Sequence, residues 1–437
     1  MNILVSFCNT VDTPGYPNLG LLNTVTKDFS IIDLPEEIPQ TGMLGLAVSD
    51  KYLFVGLQHS EGGDGAYQSP PALLIVDRKK FTLVGTYLFH LVKDVHSFLL
   101  DEEASLLYVV STGTDEIIVL TLGGSNVIDE KVFWRPEPDG QRKDIHHLNS
   151  IYKWHGELYV SGFGKKEIED DWGSAHDGFI MNITTGKKIV SGLEQPHSIA
   201  VINNEMAFCE SRTKKLRFLN REESLELPGY TRGLCELNGK AYVGTSASRK
   251  KSKSTGRALV ISEENVTGCT ISSILLDKLQ LEYTWDLNDY GIEIYEFMII
   301  DETNQWPLLP PRNYREQYIS SWIGRAQQTL SEIEENIPAG ENLLLVDESL
   351  LQINDRLLKN HCWFPFLEKD GVYWGAPPDD QTAIQELERM RNGGASYIAF
   401  AWPAFWWFEH YKVFWNYLQS THKLIYESGN VVIYRFG

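Results

Sequence analysis

One phrase recurs through the first three hundred residues. A small or polar residue opens a strand, an alternating apolar run follows, a polar turn intervenes, and a second apolar run ends in small residues. The clear copies are His96-Ser97-Phe98-Leu99-Leu100 before Ser105 to Val110, Asn149-Ser150-Ile151-Tyr152 before Glu157 to Gly162, His197-Ser198-Ile199-Ala200-Val201 before Met206-Ala207-Phe208, and Arg232-Gly233-Leu234-Cys235 before Ala241 to Gly244. A weaker first copy runs from Leu44 to Val48 before Tyr52 to Gly56. Spacings of about 35 to 53 residues hold one four-stranded sheet each, which is the period of propeller blades. A sixth blade must come from the ends: Glu293 to Ile300 reads as an innermost strand with little after it, while residues 2–8 and 21–34 read as strands lacking an innermost partner. Joining them pairs the sheet edges that would otherwise invite aggregation. The expected fold is an all-β six-bladed β-propeller over residues 1–305, its ring closed by the N-terminal strands, followed by a small α/β domain over 306–437.

The second domain follows from a change of period. After the breaker Pro307-Leu308-Leu309-Pro310-Pro311, apolar residues from Asn313 to Ile333 fall three and four apart. A strand over Leu343–Asp347, a helix over Asp380–Met390, a strand over Ser396–Phe400, an aromatic helix over 404–418 and a hairpin from Lys423 to Phe436 around Ser428-Gly429-Asn430 alternate as in an α/β sheet. Neither strand is followed by a GxGxxG or GxxxxGK loop, so no nucleotide cofactor is expected. The aromatic helix carries eight rings between Phe405 and Tyr417 around nearly its whole circumference. Such a helix must be buried on several sides, and part of that burial is expected against the propeller, a second copy of the chain or a partner protein.

The net charge of −20 would repel phosphate backbones and anionic lipid, so neither nucleic acid nor a membrane is an expected partner. The one basic run, Arg249-Lys250-Lys251-Ser252-Lys253, reads as a solvated hairpin loop more readily than as an anion clamp. No apolar stretch is long enough to span a bilayer, and Met1 to Phe7 lacks the basic start and small-residue cleavage site of a signal peptide. Five scattered cysteines without CxxC spacing argue against a disulfide framework or a zinc knuckle, and a cytoplasmic location fits them.

At the blade starts the words become specific: Asp144-Ile145-His146-His147-Leu148-Asn149, Gln195-Pro196-His197-Ser198, Leu227-Pro228-Gly229-Tyr230-Thr231-Arg232-Gly233-Leu234 and Val243-Gly244-Thr245-Ser246. In order and spacing they resemble an uncharacterised bacterial β-propeller family, a domain of unknown function whose members carry HLNG, PHSPRW, PGFTRGL and VGLS segments. The resemblance covers roughly residues 40 to 300. Ser150 stands where that family usually has Gly, Ile199 where it has Pro, and Thr245 where it has Leu. The C-terminal words Asp370 to Gly375, Gly394-Ala395-Ser396-Tyr397 and Ala404 to Tyr411 are similar to an accessory tail on bacterial glycosyltransferases and other biosynthetic enzymes. That similarity implies a glycan or specialised-metabolite pathway by association alone.

Innermost strands line a propeller's channel, so the residues at their starts form a ring at one mouth. Aligning the blades on the following small residue puts His96, Asn149, His197 and Arg232 on equivalent corners, with Leu44 and Tyr295 completing the ring. The words Lys93-Asp94-Val95-His96 and Lys143-Asp144-Ile145-His146 set a second register, which pairs His96 with His146. In such a ring His147 or His197 could act as general acid or base, Arg232 could hold a carboxylate or phosphate through two hydrogen bonds, and Asn149 could orient a hydroxyl or amide. Imidazoles from neighbouring blades could instead hold a divalent metal, with Asp94, Asp144 or Glu296 as a further ligand, although no two histidines have local ligand spacing. Strand alternation is expected to turn Ser97, Ser150 and Ser198 into the blades. Long connections near Gln58 to Gly65 and Asp170 to Gly178 could cover the mouth.

Two functions fit. In one, the ring binds a small polar or anionic, sugar- or metabolite-like molecule and acts on it as a hydrolase, lyase or isomerase. In the other, the same ring is a non-catalytic scaffold for a ligand or protein. A third, purely structural possibility is that the corners cap the channel and bond its loops.

Overall fold

The computed structural model describes residues 2–8, 18–34, 42–57, 71–137, 142–169, 171–247, 268–291, 293–301, 306–309, 322–351, 361–369 and 372–437. The connection at 58–65, Asp170, the basic run at 249–253, the first part of the helix expected from Asn313 and the pair Asp370-Gly371 lie outside these residues.

Six four-stranded antiparallel sheets succeed one another, each running from an innermost strand outward. Blade one is Met43–Val48, Tyr52–Leu57, Ala72–Asp77 and Thr82–Leu88, and blade two is Val95–Asp101, Leu106–Ser111, Glu116–Gly123 and Asn126–Trp134. Blade three is Leu148–Trp154, Glu157–Gly162, Gly178–Asn182 and Lys187–Leu193. Blades four and five start at Pro196–Ile202 and Tyr230–Leu237 and end at Ser224–Glu226 and Gln280–Asp286. In the sixth, Ile294–Ile300 is innermost and Asn2–Phe7, Leu19–Asn23 and Phe29–Ile31 lie outside it, so the two ends of the propeller share one sheet. The register of that closure pairs Asn2 with Ile300, Leu4 with Met298 and Val5 with Phe297. Burial explains why it holds: Ile3, Leu4, Val5 and Phe7 are all fully enclosed.

A hydroxyl recurs where one blade meets the next. At or just past the end of a blade's second strand, Ser6 Oγ donates to Leu44 O (2.8 Å), Thr112 Oγ1 to Leu148 O, Ser211 Oγ to Thr231 O (2.6 Å) and Ser246 Oγ to Ile294 O (3.2 Å). Each acceptor lies at the start of the following blade's innermost strand, so these side chains tie four of the six blade junctions at the end where the polar corners sit. The small residues that close the second strands have a packing reason. A Cβ on Gly244 would stand 2.4 Å from the carbonyl oxygen of Arg232.

The chain divides into two compact units, Met1–Glu316 and Gln317–Gly437. The second is built on a five-stranded sheet in the order Cys362–Pro365, Asn342–Val346, Tyr397–Ala401, Val431–Arg435, Lys423–Glu427. The first three strands are parallel and the last two form the antiparallel hairpin. Helices Trp322–Asn336 and Asp380–Asn392 accompany it, the latter capped by Asp379, whose carboxylate accepts from Thr382 N at 2.8 Å. The aromatic segment is not one helix. A 3-10 turn at Trp402–Ala404 and a short helix at Trp407–His410 precede a break at Tyr411 (φ −98°, ψ 68°), and a second helix runs over Lys412–Thr421. The break lets rings on both pieces face the same sheet. Trp407, Phe414 and Leu418 are buried with Phe366 and Phe400, and Trp415 stacks on Phe408 at 3.9 Å, so this unit's own core takes up most of the rings while Trp406 stays 42% exposed.

Candidate functional site

Every innermost strand is irregular at the same place. Opposite its neighbour, each holds one residue too many: between Met43 and Leu46, Val95 and Phe98, Leu148 and Ser150, His197 and Ala200, Arg232 and Leu234, and Ile294 and Phe297. These are β-bulges, which suspend the strict alternation of side chains. In blades four and five the extra turn is visible in Ser198 (φ 51°) and Gly233 (φ 73°).

Because of the bulges, consecutive residues face one pocket. Its first tier is His96, Asn149, His197, Arg232 and Tyr295, one from each of blades two to six, and its second is Ser97, Ser150, Ser198 and Glu296, each the next residue along. The serines line the pocket, contrary to simple alternation, although Ser150 bonds Ser161 of its own blade and Ser198 accepts from Gly233 N at 2.9 Å. Blade one supplies Leu44 and Gly45 at these positions, and a Cβ on Gly45 would lie 2.5 Å from His96 O. The pocket encloses about 250 Å³ with its open mouth included. The part of it that a water-sized group can occupy is about 20 Å³, room for about one water.

A directed chain of hydrogen bonds crosses the pocket. Arg232 Nη1 donates to Glu293 Oε1 at 2.7 Å, and Arg232 Nη2 meets His197 Nε2 at 3.1 Å. A guanidinium can only donate, so Nε2 is the acceptor and the proton of His197 sits on Nδ1. From there it is offered to Ser211 Oγ (2.8 Å) and Gln195 O (3.1 Å), and Ser211 passes its own to Thr231 O. Burial, then the neighbouring charge of Arg232, holds His197 well below the usual imidazole range. Both of its ring nitrogens are thus committed in the protein. Glu293 and Ser211, which complete the chain, carried no sequence signal by themselves, although Ser211 follows its blade's second strand just as Ser111 ends that of blade two.

Asn149 is likewise tied in: its Oδ1 accepts from Ser161 Oγ at 2.7 Å and its Nδ2 donates to His147 O at 3.2 Å. Glu296 is enclosed, accepting from Ser97 Oγ and from Leu46 N, both at 2.7 Å. Burial pushes its carboxyl up to about 8, so at neutral pH it carries a proton.

His96 differs from the rest. It is 5% exposed, and its Nδ1 makes no hydrogen bond; Asp94 Oδ1 stands 3.6 Å away, beyond hydrogen-bond range. Its ring meets those of Tyr295 (5.3 Å) and His147 (5.4 Å) edge-on, and burial, followed by the neighbouring His147 and Arg232, keeps it well below its usual range despite the opposing backbone of Asp94 and Val95. The guanidinium of Arg232 lies over the Tyr295 ring at 4.4 Å.

His146 and His147 do not line the pocket. His146 reaches toward Glu137 Oε1 (3.3 Å) and packs on Phe179, so the register that pairs His96 with Asn149 is the one present. His147 bonds Asp144 Oδ2 through Nδ1 (3.0 Å) and packs between Phe163 (4.5 Å) and Trp172 (4.6 Å). Trp172 belongs to the long connection of blade three, which leans on the histidines from the side; Phe163 also meets His197 at 5.0 Å. The corner at 145–148 is clamped by Asp115, whose carboxylate accepts from the amides of Ile145 (2.8 Å), His146 (2.5 Å) and Leu148 (3.3 Å). Among the described residues no three of His, Cys, Asp and Glu are grouped so as to hold a metal ion. Nor is any described helix long and apolar enough to cross a membrane.

No curated protein matches the chain. Among solved structures it is similar to a chain of the nidogen/laminin complex (13% identity over 68% of this chain and 97% of that one, TM-score 0.46). A protein of unknown function from Bacteroides caccae is similar too (12%, 68% and 97%, 0.43), as is the periplasmic gluconolactonase of Pseudomonas aeruginosa (9%, 68% and 98%, 0.40). At such identities these are likenesses of fold alone. The domain of unknown function DUF4915 matches residues 81–309, more than half of the sequence, and the chain belongs to that family.

Proposed function

We propose that the propeller binds a small polar or anionic molecule in the pocket where its innermost strands begin, with Arg232 as the anchor and His96 in direct contact. The observation that carries this reading is the contrast between neighbours. His197 and Asn149 are committed to the protein through close hydrogen bonds, whereas His96, equally enclosed, lines the pocket with an imidazole held only loosely, its Nδ1 lying 3.6 Å from Asp94. Buried polar groups are otherwise tightly bonded almost everywhere in folded proteins, so a loosely held imidazole on a cavity wall marks a place for something else to bond.

The same pocket holds an acid and a base in the forms that proton transfer requires. Near neutral pH Glu296 is protonated and His96 is not, because burial drives the two in opposite directions. A bound molecule with an acidic C–H or a leaving hydroxyl could therefore lose a proton to His96 and receive one from Glu296, which is isomerase or lyase chemistry. The general-base role expected of His197 passes to His96, since Arg232 occupies the lone pair of His197.

A thermal-shift screen of the full chain against small organic acids, sugars and sugar acids tests the reading. Compounds that fit should raise the melting temperature of the wild type and leave His96→Gln unmoved. Should none shift the wild type while His96→Gln melts as early as a core truncation, the ring is a structural plug.

A further inference from the structure

We infer that the ligand of this pocket is a small monocarboxylate, that Arg232 grips its carboxylate, and that it enters together with one proton taken up by His96. This rests on the pocket being a ligand site at all.

Donor geometry comes first. A guanidinium has five N–H groups, and the described residues accept from Arg232 only at Glu293 and His197, which leaves three donors on a side chain whose residue is 7% exposed. Arg232 and the loosely held imidazole of His96 line the same pocket, whereas His197 and Asn149 already face close protein partners. Planar, paired N–H groups match a planar pair of oxygens, so a carboxylate fits them better than a single hydroxyl would.

Charge decides how many negative charges can enter. Arg232 and Glu293 cancel as an enclosed pair with side chains 9% and 4% exposed, Glu296 is protonated, and His96 and His197 are neutral. A monoanion placed against Arg232 would leave one uncompensated charge in an enclosed space, which is costly. One proton restores the balance. A dianion such as a phosphate would need two.

His96 is where that proton can go. Around its ring stand Asp94 at 3.6 Å, the rings of Tyr295 and His147, and the charge of Arg232; Glu296 is reached only through the adjacent Ser97, and His197 lies across the tier. The backbone at Asp94 and Val95 favours an imidazolium, while burial, His147 and Arg232 oppose it, and a ligand carboxylate on Arg232 would offset that last opposition. Glu296 cannot take the proton at neutral pH because it holds one already, and both nitrogens of His197 are engaged.

Isothermal titration of the full chain at pH 7 tests this with glycolate, lactate and pyruvate, each run beside its amide, in two buffers of different ionisation enthalpy. The acids should bind at least about tenfold more tightly than the amides, a difference of about 1.4 kcal/mol, and each acid should take up about one proton. His96→Gln should abolish the proton uptake and weaken acid binding, and Glu296→Gln should leave the uptake in place. Equal binding of acids and amides, or acid binding without proton uptake, overturns the inference while sparing the ligand site. If neither acids nor amides bind, the ligand-site reading falls first and takes the inference with it.

Discussion

Arg232 donates from Nη2 to Nε2 of His197 at 3.1 Å, while its Nη1 is held by Glu293 at 2.7 Å, so two corners of the ring act as one rigid unit spanning three blades. That unit should be important for stability. Arg232→Ala would strand an enclosed carboxylate and is expected to cost about 3–5 kcal/mol, and His197→Ala, which empties a packed site and breaks its bonds to Ser211 and Arg232, about 2–4 kcal/mol. Urea unfolding checks both. Read as a hydrated channel mouth, the same positions would tolerate alanine with little loss; the 3% and 7% exposures of His197 and Arg232 are why they should not.

Glu296 gives the propeller a pH signature. Its pKa is raised from about 4.5 in the unfolded chain to about 8 in the folded one, so the folded state binds the proton more tightly. Its contribution to stability is full below about pH 4.5, declines as the pH rises, and is gone above about pH 8. Glu296→Gln keeps a hydrogen-bonding group without the ionisation and should flatten the wild type's decline between pH 6 and 8. Below that, the raised pKa of Asp115, about 6, should still produce a slope in both proteins. Denaturation midpoints across this range decide it, and parallel curves for the two proteins would count against a protonated Glu296.

Closure through both ends makes the N-terminal strand irreplaceable. Removing residues 1–8 would uncover Ile294–Ile300 on one side and Leu19–Asn23 on the other, two apolar edges in a sheet that otherwise has none within the blade. The deleted protein should aggregate on size-exclusion chromatography, and a monodisperse, cooperatively unfolding deletion would contradict the closure.

The propeller was legible because a period of two repeated with a blade-sized spacing survives any local irregularity, and the sixth blade followed from counting strand starts. The corner residues His96, Asn149, His197 and Arg232 were legible for the same reason. What the repeat could not reveal is the bulge, since an extra residue in one strand shows only against its partner's count. That hid Ser97, Ser150 and Ser198, and also placed Glu296 and Tyr295 on the same pocket despite their being consecutive. Nor could spacing tell which imidazole is committed: His96 and His197 stand on equivalent corners, and only the distant Ser211, Arg232 and Glu293 separate them. The aromatic segment misled by its composition, because the break at Tyr411 turns what looks like an all-round apolar helix into two pieces wrapped on one core.

The most direct measurement is the unfolding free energy of His96→Gln in the absence of any ligand, set beside that of His197→Ala. With no close hydrogen bond to lose at Nδ1 of His96, the Gln variant should stay within about 0.5 kcal/mol of wild type while His197→Ala loses several times as much. A loss at His96 comparable to that at His197 would mean that the imidazole holds the ring together, and that the pocket is a capped channel instead of a binding site.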